Sequence, residues 1–152
     1  MKTRPLIIIG LAFTALTVAQ MHASMSAGVF AGQWKVNFAK SKFPGPPPQV
    51  DECTVDPDGT VHVHEITADG KTNSWQYTPL AGKAVSVEGR ENTTVLVKKL
   101  NSHTNEQVWN INGRAAKSKA VVSKDGKTTT FTMDGVDKDG KPFHEMVVYD
   151  KQ

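Results

Sequence analysis

His62 and His64, with Glu65 beside them, are the densest grouping of metal-competent side chains in this 152-residue sequence. In an extended segment residues i and i+2 share a face, and histidine with carboxylate is a zinc-competent set. His144-Glu145 near the C-terminus would add ligands if the last hairpin lay beside that strand. A structural zinc site normally needs four ligands, however, and only His-x-His is visibly grouped. Val61 and Val63 alternate with the histidines, and in a sheet with one wet face the apolar positions turn inward. His62 and His64 are therefore expected in solvent, and no metal is expected.

Nucleophilic catalysis finds no better footing. There is no Gly-x-Ser-x-Gly elbow and no Cys-His motif of known spacing. Cys53, the sole cysteine, sits in the alternating run Val50 to Val55 without a visible activating partner. It is expected as a small buried apolar residue, with a disulfide-linked dimer as the alternative. Most acids stand in turns, where aspartate has a local structural job. No glycine-rich phosphate cradle of the P-loop or dinucleotide type occurs. Neither an enzyme nor a cofactor is expected.

The aromatic residues Trp34, Trp75, Tyr77, Trp109, Phe131, Phe143 and Tyr149 are the third constellation. The period of two puts Trp75 and Tyr77 on one face, and Phe131 with Met133 on one face. Lys117 and Lys119 must face water, which turns Ala116, Ser118, Ala120 and Val122 inward. A wall of such small side chains either leaves a cavity or receives a bulky neighbour such as Trp109. Trp75, Tyr77, Trp109, Ser118, Ala120 and Phe131 are thus the candidate ligand-binding set, and Trp34 is a candidate structural plug.

These residues need a scaffold, and an N-terminal leader must be set aside before seeking it. Lys2 and Arg4 form a positive region, Leu6 to Val18 is a weakly polar to apolar run, and Ala23 is the favoured cleavage position. The run is shorter than the ~20 residues a membrane anchor needs. Removing Lys2 and Arg4 with the leader leaves 16 basic against 15 acidic side chains. The lysines are scattered singly, without the basic stripe and interleaved aromatics of a nucleic-acid binder. With one cysteine, stability must come from a packed core and a closed sheet rather than from an internal disulfide.

The remainder reads almost wholly as strand and turn. Segments start at Gly32, Gln49, Thr60, Asn73, Lys83, Thr93, Glu106, Ala115, Thr128 and Phe143, about ten strands in all. Phe38 to Phe43 is expected as one helical turn, stopped by Pro44-Gly45-Pro46-Pro47-Pro48, a stiff connector that cannot enter a sheet interior. Asp58-Gly59, Asp69-Gly70, Asp125-Gly126 and Asp139-Gly140 mark hairpins, with positive φ expected at both residues of each pair. No long helical periodicity appears. Closure would remove the exposed edges of such a meander, so an all-β, single antiparallel up-and-down barrel of about 8–10 strands is expected, ahead of a two-sheet sandwich. Asn92-Thr93-Thr94 fits an N-glycosylation sequon, which matters only in a glycosylating host.

Phe30-Ala31-Gly32-Gln33-Trp34-Lys35-Val36-Asn37 resembles the Gly-x-Trp opening of lipocalins and fatty-acid-binding proteins, the calycin group. The ending Val147-Val148-Tyr149-Asp150-Lys151 is similar to the last strand of the fatty-acid-binding branch. More closely, Gly32 through Phe43, Val121 through Thr128 and the closing Val148-Tyr149-Asp150-Lys151-Gln152 resemble a group of small secreted bacterial lipocalin-like proteins, from which no chemistry transfers. The calycin resemblance implies a barrel closed at one end by Trp34 and open at the other to small apolar ligands. Only a few residues separate the first strand from the proline run, so the helix-turn-helix lid of the fatty-acid-binding branch has no room. Val147 stands where that branch carries an arginine two positions before its final tyrosine, so its carboxylate capture is not carried over.

The domain plan is a signal peptide over 1–23, a flexible arm over 24–29 and the barrel over 30–152. The expected function is an exported, monomeric, non-catalytic barrel holding a small apolar or amphipathic molecule, secreted or periplasmic. The rival is a protein-interaction module, such as a periplasmic protease inhibitor working through the arm, or a cell-envelope-associated protein.

Overall fold

The structure, a computed structural model, describes residues 23–152, so all of the expected signal peptide except Ala23 lies outside the described residues. Ten strands carry the fold: β1 Gly32–Val36, β2 Val50–Val55, β3 Val61–Ile66, β4 Thr72–Tyr77, β5 Val85–Ser86, β6 Thr93–Asn101, β7 Thr104–Ile111, β8 Arg114–Val122, β9 Thr128–Val136 and β10 Pro142–Lys151. They form one antiparallel sheet in the order β4-β3-β2-β1-β10-β9-β8-β7-β6-β5. The sheet curls until its edges meet at one bridge, where Gln76 and Glu88 exchange backbone hydrogen bonds of 3.0 and 2.9 Å. This is the up-and-down barrel the alternating sequence requires, nearly closed. Among the described residues no helix is long and apolar enough to cross a membrane.

Strand alternation explains which side chains enter the interior. On β8, Ala116, Ser118, Ala120 and Val122 are buried while Lys117 and Lys119 are exposed. On β3, Val61 and Val63 face the interior, which leaves His62 and His64 on the outer surface. His62 bridges Gln76 Oε1 at 2.9 Å and Asp56 Oδ2 at 3.0 Å, and His64 meets Ser74 Oγ at 3.2 Å. His144 pairs instead with Asp134 Oδ1 at 2.7 Å, and β10 is separated from β3 by β1 and β2. The terminal hairpin therefore does not bring a third ligand to His62 and His64.

The Asp-Gly turns correct one expectation. Positive φ occurs at the glycines alone: Gly59 at 92°, Gly70 at 81°, Gly126 at 71° and Gly140 at 77°, with none of the preceding aspartates in that region. Each hairpin is one or two residues longer than a two-residue turn. In the first, Gly59 N donates to Asp56 O and Asp56 N to Thr60 O, so Pro57 and Asp58 keep ordinary negative φ. The aspartates act through their side chains: Asp58 Oδ1 accepts from Thr60 N, and Asp125 Oδ1 from Lys127 N. Asn112-Gly113, with φ of 51° and 80°, has positive φ at both residues.

The link between β1 and β2, residues 37–49, is the longest between strands and holds only one 3-10 turn. A 3-10 turn spans Phe38–Lys40, and Asn37 Oδ1 accepts from Lys40 N at 3.1 Å. Asn37 Nδ2 also donates to Asp150 Oδ2 at 2.7 Å, and Ser41 Oγ accepts from Val148 N at 2.9 Å, which ties the link to β10.

Residues 24–29, expected as an arm ahead of the barrel, lie along it. Ser24 bridges Leu80, Met25 N donates to Pro79 O at 3.1 Å, and Ala27 N donates to Pro57 O at 3.2 Å. Ala27 and Phe30 are buried against Trp34, Ala120 and Val122, so apolar burial together with backbone pairing holds the segment across one barrel end. Gly59 makes that approach possible. A methyl there would collide with the Met25 carbonyl oxygen, and its φ of 92° disfavours any side chain. Gly59→Ala is expected to cost about 1–3 kcal/mol of folding stability. It should also speed hydrogen exchange at the Met25 and Ala27 amides; an unchanged melting temperature with unchanged exchange would contradict it.

Candidate binding cavity

A cavity of about 230 Å³ runs down the barrel interior. Its floor is Phe30, Trp34, Ala120 and Thr129, at the end crossed by residues 24–29. Trp34 Nε1 donates to Phe30 O at 2.8 Å, which fixes the indole in this position. The walls are mainly apolar: Val61, Val63, Val97, Phe131 and Val147, with Tyr77 and Trp109 among them.

Three aromatics form one packed unit. Trp75 stacks on Tyr77 at 6.2 Å between ring centroids, and Trp109 stands edge-on to both, at 6.0 and 5.7 Å. Such offset and edge-to-face pairs contribute about 0.5–1.5 kcal/mol each beyond area burial. A chain of hydrogen bonds anchors Trp109 from behind. Its Nε1 donates to Ser118 Oγ at 2.9 Å, and Ser118 donates to Gln107 Oε1 at 2.7 Å.

The structure thus brings Trp75, Tyr77, Trp109, Ala120 and Phe131 to the lining of one cavity. Ser118 is buried beside them but does not line the cavity, because its hydroxyl is used in holding Trp109 and Gln107. Cys53 lines the cavity, and burial pushes its thiol up to about 12, so it stays protonated and unreactive.

What the sequence reading missed is a polar cluster at the opposite end. Asp51 and Glu65 are cross-strand partners on β2 and β3, and Glu145 comes from β10. Arg90, from the turn after β5, lies 4.3 Å over the Trp75 ring. Tyr149 donates its hydroxyl to Asp51 Oδ2 at 2.8 Å. Burial is the main cause that pushes the Asp51 carboxyl up to about 6; the Tyr149 hydrogen bond and Arg90 oppose it, while Glu65 and Glu52 add to it. Glu145 is raised too, first by burial, then by Asp51 and Glu65. Burial lowers Arg90 and raises Tyr149.

Period-two alternation carried a signal for the acids: Glu65 falls in phase with Val61 and Val63, and Glu145 with Val147 and Tyr149. Arg90 sits in a turn and gave none. Among the described residues no group of three or more histidine, cysteine or acidic side chains is placed to hold a metal ion. The interior has the means to bury an apolar body and to orient one polar end.

No family model and no curated protein matches this chain. Solved structures do. The crystal structure of the fluorescent protein UnaG superposes with a TM-score of 0.53 at 11% identity, covering 81% of this chain and 97% of that one. A point mutant of the same protein gives 0.53 at 10% identity, covering 82% and 96%. At such identity the likeness shows the fold alone. That fold is the all-β, lipocalin and fatty-acid-binding-protein-like barrel, with nearly the whole of the similar chain covered.

Proposed function

We propose that this protein is an exported barrel that binds a small amphipathic molecule in its interior and does no chemistry on it. The carrying observation is the interior itself: about 230 Å³ lined by a packed aromatic trio and aliphatic walls, with polar groups gathered at one end. Concave, mostly apolar sites with a few convergent polar groups are the usual form of small-molecule sites. Export rests on the leader over 1–23, and a periplasmic or secreted mature chain lacking those residues is the expected product.

An environment-sensitive apolar dye is expected to bind one to one. Ala120→Phe should abolish that binding while leaving the fold intact, since it sets a ring on the cavity floor beside Trp34 and Phe30. Fluorescence titration and circular dichroism check the two halves. A wild-type protein that binds no dye, with an Ala120→Phe variant that unfolds, would mean a solid core.

The interaction-module reading, a protease inhibitor or envelope-contacting protein, draws its support from residues 24–29 as an accessible arm. Those residues pair with Pro57, Pro79 and Leu80, which favours the binding barrel.

A further inference from the structure

We propose that the polar end of the cavity receives the ammonium group of a small amphipathic amine, whose apolar body packs on Trp75, Tyr77 and Trp109 and whose hydrogen-bond acceptor meets the Gln107 amide. This rests on the binding-barrel reading and names its ligand class.

Charge comes first. Asp51, Glu65 and Glu145 face the polar end of the cavity from three different strands, against the guanidinium of Arg90; the other lining cation, Lys99, lies at the opposite end beside Gly28. Arg90 makes no ion pair within 4.0 Å with any of them among the described residues; its guanidinium carbon lies 4.3 Å over the Trp75 ring instead. The acids therefore repel one another in a partly dry site, and a cation entering among them relieves that repulsion. A carboxylate ligand would add a fourth negative group. The Tyr149 hydroxyl is given to Asp51, which leaves Arg90 as the one group at that end able to offset it, against three acids.

Gln107 is independent of the acids and points to the same ligand. It is 8% exposed and lines the cavity. The Trp109–Ser118–Gln107 chain sets its orientation: indole N–H can only donate, so Ser118 Oγ accepts there and passes its own proton to Gln107 Oε1. The Gln107 Nε2 donors are then turned away from Ser118, and they have no partner among the described residues. Trp75 Nε1, which also borders the cavity, is buried without a hydrogen-bond partner. A buried donor left unpaired is costly, so a ligand acceptor at Trp75 Nε1 adds stability, and the Gln107 amide can donate to the same ligand. Gln107, Ser118, Met133 and Glu145 also follow one cross-strand row through β7, β8, β9 and β10, which links the amide to the acidic end.

Size completes the description. The 230 Å³ cavity exceeds the ~150 Å³ that holds one benzene, and falls below the ~300 Å³ at which drug-sized sites begin. One ring with a short amino-alkyl chain fits that interval; a long acyl chain does not.

Three probes with one carbon skeleton test the class: 3-phenylpropylamine, 3-phenylpropan-1-ol and 3-phenylpropionate, titrated calorimetrically against the mature wild-type protein near pH 8. The amine is expected to bind about tenfold tighter than the alcohol, the scale of a charge-assisted hydrogen bond, and the acid weakest of all. Asp51→Asn and Glu145→Gln should each move the amine-to-alcohol affinity ratio toward one. Lowering the pH through about 6 neutralises Asp51, while the amine, with a pKa near ~10, stays charged. Amine affinity should therefore fall and alcohol affinity hold. Glu65, Glu145, Arg90, Tyr149 and Cys53 are the other titratable groups facing that end.

An amine no tighter than the alcohol overturns the amine class and leaves the binding barrel standing. Tightest binding by the acid, lost in Arg90→Gln, overturns it in favour of anion capture. Failure of all three probes while the apolar dye binds also overturns it. Failure of the dye as well removes the binding-barrel reading itself.

Discussion

Trp34→Ala is expected to cost about 3–5 kcal/mol of folding free energy, the range of large aromatic deletions from a packed core. Trp34 is 4% exposed and sits where three parts of the chain converge. Its ring packs with Ala27 and Phe30 from the N-terminal segment and with Ala120 and Val122 from β8. Lys151 covers it at 5.1 Å, and its Nε1–H is bonded to Phe30 O. Removing the indole takes away the apolar burial and leaves the Phe30 carbonyl without its donor. It also joins the vacated space to the barrel cavity. Urea unfolding should show the midpoint falling without a large change in slope, and proteolysis should become faster at residues 24–30. A variant as stable as the wild type would show that the Gly-x-Trp segment is not the structural floor of the barrel.

Strand order and facing were legible because the alternation here is strict. Lysines at 117 and 119 can only face water, and that single fact sets the inward row Ala116, Ser118, Ala120 and Val122. The same logic placed Trp75 with Tyr77 and turned His62 and His64 outward. Two kinds of information were not available from that pattern. Turn geometry was misread because Asp-Gly was taken as a two-residue turn. Hydrogen bonds such as Gly59 N to Asp56 O start the turn earlier, and aspartate caps it instead of adopting positive φ. The polar cluster was missed because most acids were read as turn residues with a local structural job, and Glu65 and Glu145 only as neighbours of histidines. Asp51, in phase with Cys53, is 8% exposed, and only the convergence of β2, β3 and β10 reveals that it shares a space with Glu65 and Glu145. Ser118 illustrates the remaining limit. Its inward direction was legible, but that its hydroxyl would serve Trp109 and Gln107 depends on rotamers that no sequence pattern encodes.

The acidic end carries a cost that stability measurements can expose. The Asp51 carboxyl is raised from its ordinary 3.8 to about 6, first by burial. A carboxyl raised in the folded state binds its proton more tightly there than in the unfolded chain. Its contribution to stability is therefore fully present below about pH 4 and is lost as the pH rises through about 6. The difference between 3.8 and about 6 corresponds to about 3 kcal/mol. Asp51→Asn removes the titration while keeping an oxygen that can accept the Tyr149 hydroxyl. The variant is expected to be more stable than the wild type at pH 8 by up to about 3 kcal/mol, reduced by the weaker hydrogen bond from Tyr149. The difference should shrink toward zero near pH 4, where the wild-type carboxyl is itself neutral. Denaturant unfolding of both proteins at a series of pH values gives the curve directly. A stability difference independent of pH, or a variant less stable at pH 8, would show that Asp51 is comfortably ionised in the folded barrel. A gain confined to the alkaline side would show a carboxylate held in the cavity at the expense of folding.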